Sequence, residues 1–399
     1  MDTTHKVVIC GAGSGAHVLA GLSSQRKNIE TNILIIYKDK AEEWNKTSEY
    51  NPLKITVHDH KGDKKDVVCN KINVCKDPGL VIPGCDVIIL TVPAYAHGVY
   101  LEAIKDYLPE GVTIIGLPGQ PGFEFAVKQT LGKNAARKYT IASFESLPWA
   151  CRVQEFGRHV NILGTKDNMT GAVSNCNSKG VDILQVMIGK YPKLKIKGDL
   201  LAMSLMSINS TLHPCIMFAK WNKWDECPLE EPPLFYQGID KNAIRLLTDV
   251  SNEILGAAKT IQRMVKGVDV SSQVVHMYSW YLTSYPTCIE DPDTFLRAVA
   301  TNRAYKGLIH PVVKTDDGGY VPDFDSRYLT EDIPYGLAPI KGICEIAGIS
   351  TPNIDRVLAW CQTKMKKEYM VDGKMTGKDI ASTRCPQNYG LQTIKELLF

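Results

Sequence analysis

Arg327, Glu331 and Asp332 share one short segment, Arg327-Tyr328-Leu329-Thr330-Glu331-Asp332-Ile333-Pro334. A guanidinium grips a carboxylate through two parallel N–H bonds, so Arg327 suits a small organic acid such as an α-keto acid. A carboxylate placed against a histidine fixes its tautomer and lifts its pKa above the ordinary ~6.5, which makes a proton donor near neutral pH. The same residues also read as a helix-capping turn with surface ion pairs.

The histidine that would complete such a pair is one of nine. His58 and His60 fall on a charged hairpin, and His5 and His159 border strands. His17, His97, His213 and His310 remain. His213 precedes Pro214 in Leu212-His213-Pro214-Cys215, on an otherwise apolar helix. Proline there frees the Ser210 carbonyl, kinks the helix and opens a polar spot in packed surroundings. His310-Pro311 is a rival, and a satisfied core histidine is an equal alternative.

A second constellation opens the chain. Gly11-Ala12-Gly13-Ser14-Gly15-Ala16 follows the apolar run Val7-Val8-Ile9-Cys10 and precedes Val18-Leu19-Ala20-Gly21-Leu22. Glycines at this spacing between a strand and a helix make a tight turn, admit a pyrophosphate against the main chain and pack helix on strand. The helix N-terminus adds unpaired N–H groups and partial positive charge. The expected ligand is a dinucleotide. At the tip of the next strand, Tyr37 would pack on its adenine, Asp39 would take its ribose and Lys38 would meet the extra phosphate of NADP; the balance favours NAD.

Loops after the other strand tips should form a cleft. Gly116-Leu117-Pro118-Gly119-Gln120-Pro121-Gly122 is one, and Ser143-Phe144-Glu145-Ser146-Leu147-Pro148-Trp149-Ala150-Cys151-Arg152 is another. Cys151 lacks an activating neighbour besides Arg152 and reads as lining rather than nucleophile. Beside His213, Asn209 and Met206 lie four and seven residues earlier, on the same face if one helix runs through them. That face carries no carboxylate.

The elements needed to position these groups follow from the pattern. Continuously apolar runs at 32–37, 86–93 and 113–118 read as buried parallel strands, with 139–143 and 160–164 extending the sheet. Residues 53–69 read as a hairpin around His60-Lys61-Gly62-Asp63. Helical spacing dominates 200–220, 241–265, 272–285 and 337–348. The expected architecture is a Rossmann-type doubly wound α/β domain over 1–198, then an all-helical domain over 199–399.

The 399 residues carry a net charge of +3 without basic tracts interleaved with aromatics, which argues against nucleic acid. Twelve cysteines without a Cys-x-x-Cys pair argue against zinc and disulfides, and point to the cytoplasm. No apolar run is read as approaching the ~20 residues of a membrane span. The sequons at Asn45, Asn168 and Asn209 are read as coincidental.

Taken together the chain resembles the invertebrate opine dehydrogenases. The resemblance rests on the fingerprint ending Ala16-His17, Thr91-Val92-Pro93-Ala94, the Ser143–Arg152 segment, Pro233-Leu234-Phe235-Tyr236-Gln237-Gly238-Ile239-Asp240, Tyr305-Lys306-Gly307-Leu308, the Arg327 segment and Thr383-Arg384-Cys385-Pro386-Gln387. It implies NADH-dependent reductive condensation of pyruvate with an amino acid, by a monomer holding its substrates between the two domains. It implies His213 and Asp332 as the catalytic pair, Arg327 as the anion holder, and Gln120 and Ser146 as pyruvate contacts, the latter a serine where relatives have threonine. Cys151 and Arg327 would also touch the cofactor. Glu145, Met206, Ser207, Asn209 and Trp280 would complete the substrate site. With no carboxylate beside His213, the amino acid is expected to be a small zwitterion such as taurine, glycine, alanine or β-alanine rather than arginine. An arginine-specific opine dehydrogenase, a plain 2-keto acid reductase and a silent NADH-binding sensor are the competing readings.

Overall fold

The computed structural model describes residues 3–49, 52–58, 63–132, 134–175 and 177–398. They divide into two compact units, 1–119 with 126–200, and 120–125 with 201–399. The division falls two residues after the expected 198/199, and the short segment 120–125 belongs with the second unit.

Among the described residues, twelve strands build the first unit: β1 (His5–Cys10), β2 (Ile29–Leu34), β3 (Lys54–His58), β4 (Lys64–Val68), β5 (Asn73–Cys75), β6 (Val87–Leu90), β7 (Thr113–Gly116), β8 (Thr140–Phe144), β9 (Trp149–Glu155), β10 (His159–Thr165), β11 (Asn168–Val173) and β12 (Lys193–Ile196). Eight form one sheet in the order β12-β11-β8-β7-β6-β1-β2-β5. Every pairing is parallel except β11 with β8. The central strands β6, β7 and β8 are buried along their whole length, so both faces of the sheet are covered there, as their largely apolar sequences suit. Connections leave β1 toward β2 on one side and β6 on the other, so the chain reverses direction beside the fingerprint; ligands of open α/β sheets collect at such a point.

The expected hairpin is β3 with β4, antiparallel; its tip, with His60, Lys61 and Gly62, lies outside the described residues. The strand near 160–164 is present as β10, but it does not extend the main sheet. It pairs with β9 and β3 in a second sheet of order β4-β3-β10-β9. Its alternating burial suits a half-covered sheet, whereas the main sheet takes runs buried on both faces. The strand expected at 32–37 lies earlier, at Ile29–Leu34, where its register with β1 begins at His5.

The second unit is helical, at Leu200–Leu205, Ile208–Trp221, Lys241–Met264, Met277–Ser284, Ala338–Ile346 and Pro352–Lys364 among others. One two-stranded hairpin, β13 (Val312–Lys314) with β14 (Tyr320–Pro322), departs from the all-helical expectation. Lys241–Met264 buries Ala243, Leu247, Val250, Ile254, Ala257 and Ile261 along one stripe. Its N-cap is Asp240, whose carboxylate accepts the Ala243 N–H at 2.8 Å, a bond worth ~1 kcal/mol. Residues 272–276 do not join the expected 272–285 helix, which starts at Met277 with His276 as its cap. The stretch Leu200–Trp221 is in fact long and apolar enough to cross a membrane, contrary to the sequence expectation, but it is almost wholly buried inside the protein. It is core.

Two of the candidate histidines are packing groups. His17 lies wholly buried on the fingerprint helix, Ser14–Ser24. Its Nδ1–H donates to the Gly13 carbonyl at 2.9 Å and its Nε2 accepts the Gly157 N–H at 2.9 Å. The ring lies 4.0 Å from Trp44. Burial pulls its pKa down to about 4. His310 accepts the Trp221 indole N–H at 3.2 Å and packs on Phe235; burial, aided by Lys220, lowers its pKa to about 3. His97 is buried on the helix Ala94–Ile104.

These neutral imidazoles set an acid limit. As pH falls from about 6.5 toward 4, the unfolded chain takes up protons that the folded one refuses, so stability present above 6.5 is lost through that window. Each such group contributes up to about 1.4 kcal/mol per pH unit. Urea unfolding should show lower stability at pH 5 than at pH 7. The difference should shrink in His310→Gln, which keeps an acceptor for the Trp221 N–H.

Candidate active site

Gly11 leaves β1 at φ +121, a conformation that strains any other residue, and a Cβ there would lie 2.6 Å from Val92 Cγ1 and 2.9 Å from the Thr91 carbonyl. The turn can therefore form only on glycine. Gly13, the N-cap of Ser14–Ser24, differs. Its backbone is ordinary extended chain and its missing side chain faces open space. The first N–H to bond back within the helix is that of His17, to the Gly13 carbonyl at 3.1 Å, so those of Ser14, Gly15 and Ala16 have no intrahelical acceptor. No acidic residue occupies the first turn. Open space at Gly13, free donors and uncompensated positive dipole together fit a pyrophosphate. The turn is braced from β9, where the Val153 N–H donates to Ser14 Oγ at 3.1 Å.

Beyond β2, Tyr37 is exposed, Lys38 adopts φ +47 with its ammonium over the Tyr37 ring, and Asp39 pairs loosely with Lys76 at 3.6 Å. Cys151 sits in β9, and burial raises its thiol to about 11, so it is a neutral thiol rather than a nucleophile. Glu145 is buried after β8, where its carboxylate accepts the Thr170 N–H at 3.1 Å. Ser146 is buried beside it. Lys166, also buried, donates to the Leu147 carbonyl at 2.6 Å and ties this loop down.

In the helical unit, His213 is brought to Asp332 across 119 residues of chain. Nδ1 lies 2.7 Å from Asp332 Oδ2, and both side chains are under one-tenth exposed. A carboxylate only accepts, so Nδ1 carries a proton, and in the neutral ring Nε2 presents its lone pair. The imidazole is stacked on Tyr328, 3.9 Å away and nearly parallel, with Phe235 on its edge. Asp332 precedes a π-helical turn, Ile333–Leu337, a geometry that often marks functional sites. Gly336 in that turn is pressed against Ser210, where a Cβ would come within 2.5 Å of the hydroxyl. Glu331 turns the other way and pairs with Arg327, whose Nε lies 2.6 Å from Oε2 and whose Nη2 also bonds it. Arg327 remains two-thirds exposed, with Nη1 left for an anion.

Gln120 holds φ +61, a strained backbone for its type. Its Oε1 accepts from Ser207 at 2.8 Å and Ser210 at 3.2 Å, which leaves its amide NH₂ as the donor end. Ser207 is the N-cap of Ile208–Trp221 and Met206 lies before it, in the break after Leu205. Met206 therefore does not share the His213 helix as the spacing suggested, and its thioether accepts the Val275 N–H at 3.4 Å. Asn209 is exposed, and Trp280 is buried against Tyr281 and Tyr285.

Sequence reasoning passed over Tyr236. Its hydroxyl lies 3.0 Å from His213 Nε2, and its ring stacks on Tyr305 at 4.3 Å. A tyrosine inside the Pro233–Asp240 run gave no spacing signal toward a histidine 23 positions away. Elsewhere, a depression of about 380 Å³ on the outer face of the small sheet, lined by Lys54, Thr56, His58, Asp66 and His159 among others, shares no residue with either constellation. It is a solvated polar face.

Residues 196–365 match the family model described as NAD/NADP octopine/nopaline dehydrogenase, alpha-helical domain. The chain is 44% identical to tauropine dehydrogenase of Arabella iricolor, over 98% of this chain and 99% of that protein. It is also 44% identical to octopine dehydrogenase of Pecten maximus, over 99% of each. Two solved structures of octopine dehydrogenase, one with NADH and L-arginine and one with NADH and pyruvate, superpose with TM-scores of 0.90 and 0.88. They are 43% and 42% identical, and each match covers 99% of this chain and 98% of the other. With the glycine turn and the buried His213–Asp332 pair in place, this similarity along the whole chain makes the protein a member of the invertebrate opine dehydrogenase family, NAD-dependent oxidoreductases that act on CH–NH bonds.

Proposed function

We propose that this enzyme joins pyruvate to the amino group of a small zwitterionic amino acid and reduces the resulting imine, with His213 as the acid–base group. The observation that carries the reading is the 2.7 Å bond from His213 Nδ1 to buried Asp332. Asp332 holds the ring in one tautomer and stabilises the imidazolium, so His213 exchanges protons at Nε2. Amine attack on the ketone gives a carbinolamine, and departure of its hydroxyl as water needs a proton from that side.

Gly11, Ala12, Gly13, Ser14, Gly15 and Ala16 would hold the pyrophosphate of NADH, with Tyr37, Lys38 and Asp39 toward its adenosine and Cys151 along its wall. NADH, when bound, supplies the hydride. Arg327 would take the pyruvate carboxylate through its outward guanidinium edge. The Gln120 amide, its oxygen pinned by Ser207 and Ser210, would donate its N–H, and Ser146 would add a hydroxyl.

The choice of amino acid rests on where carboxylates are engaged. Asp332 is bonded to His213, Glu331 to Arg327 and Glu145 to the Thr170 N–H. A guanidinium substrate would need one of these as its acceptor, whereas a small zwitterion needs none. Equal identity to the tauropine and octopine enzymes leaves the question to such local chemistry.

NADH oxidation with pyruvate should require an amine, with taurine, glycine, alanine or β-alanine turned over faster than arginine. Preference for arginine overturns the substrate reading, and oxidation with pyruvate alone makes the enzyme a keto acid reductase. His213→Ala should lower kcat by roughly 10²–10⁴-fold, the usual contribution of one acid–base group, with NADH affinity unchanged by fluorescence titration. Gly13→Ala should keep the wild-type melting temperature yet weaken NADH binding at least about tenfold, or about 1.4 kcal/mol. Unaltered affinity there would move the pyrophosphate elsewhere.

A further inference from the structure

His213 has no nitrogen to spare. Nδ1 is taken by Asp332 at 2.7 Å and Nε2 by the Tyr236 hydroxyl at 3.0 Å, and one ring face is covered by Tyr328 at 3.9 Å. A substrate can therefore exchange a proton with this imidazole only by pushing Tyr236 aside or by going through it. Displacement is disfavoured by the packing. Tyr236 is 4% exposed, stacked on Tyr305 at 4.3 Å and set edge-on to Phe235 at 4.9 Å.

We propose that Tyr236 is a catalytic residue that carries the proton between His213 and the oxygen of the reacting carbonyl carbon. The proposal rests on the reading of His213 and Asp332 as the acid–base pair. While His213 is neutral, the phenol O–H donates to the Nε2 lone pair and every polar atom is satisfied. Once His213 is protonated, Nε2–H donates to the phenol oxygen, and the phenol proton must turn to another acceptor. Tyr236 is buried, with its ring packed on Phe235 and Tyr305, and an unbonded hydroxyl in such a place is unfavourable. The substrate oxygen supplies the missing acceptor, so the chain of hydrogen bonds closes only when substrate is present.

For loss of water from the carbinolamine, the His213 Nε2–H bond breaks as a bond to the Tyr236 oxygen forms. The original phenol O–H breaks as its proton reaches the substrate hydroxyl. The C–O bond breaks to release water, and the nitrogen lone pair forms C=N. Nothing is oxidised or reduced in this step, and the phenol is neutral before and after. Its burial, which holds its pKa well above the ordinary tyrosine value, keeps phenolate from accumulating and makes the two transfers concerted.

The test is a single-turnover measurement of NADH oxidation with saturating pyruvate and amine, so that product release cannot mask the chemical steps. In the unaltered enzyme, a plot of rate against the deuterium fraction of the solvent should be curved, as two protons in flight require. Tyr236→Phe keeps the ring on Tyr305 and should slow the single turnover by roughly 10²-fold, with NADH affinity, pyruvate KM and melting temperature within about twofold or a few degrees of wild type. A linear plot for the unaltered enzyme overturns the proposal. So does a Phe variant as fast as wild type when His213→Ala is inactive. Activity retained in His213→Ala would instead overturn the underlying reading of the pair. If the Phe variant folds poorly, the curvature of the unaltered enzyme decides alone.

Discussion

The buried bond between His213 and Asp332 is the constraint around which the helical unit is arranged. A carboxylate withdrawn from water is strongly unfavourable unless a donor meets it, and the 2.7 Å contact from Nδ1 supplies one. A hydrogen bond to a charged group contributes roughly 1.5–3 kcal/mol, but only if both partners are held in register. The helix Ile208–Trp221 must therefore lie against the turn that follows Asp332. Gly336 permits that approach, since a side chain there would overlap Ser210. Ser210 in turn bonds Gln120, so one close helix contact sets both the histidine and the strained amide.

Residues 120–125 belong with the helical unit for a reason visible in their bonds. The Gly122 N–H donates to Ser204 Oγ at 2.9 Å, and Ser204 donates to buried Glu124 at 2.8 Å. Fully buried Arg384 adds a positive charge that Glu124 and Glu331 balance. A segment that follows strand β7 in the chain is thereby held by the side chains of another unit, and Gln120 reaches Ser207 and Ser210 through it.

The α/β unit solves a different problem. Its glycine turn must be tight enough to reverse the chain and open enough to leave main-chain donors free. Crowding by Val92 and Thr91 at Gly11 enforces the first requirement, and open space at Gly13 meets the second. His17, neutral and fully bonded, ties Gly13 to the β9–β10 turn. A histidine adjoining the glycine turn is in this case a strut.

The sequence by itself determined what local pattern controls. Largely apolar runs marked the parallel strands, helical spacing marked the second unit, and glycine spacing marked the tight turn between β1 and the helix Ser14–Ser24, since each follows from backbone geometry within a few residues. The motifs carried the family. Tertiary structure decided what depends on distance through space. It put β10 in a second sheet, because partner choice is made by a distant strand. It broke the helix before Met206, at a residue that helical spacing cannot distinguish from its neighbours. It separated Glu331 from Asp332, sending one to Arg327 and one to His213. It also placed the Tyr236 hydroxyl on His213 Nε2, because hydrogen bonds between side chains leave no period in the chain that makes them.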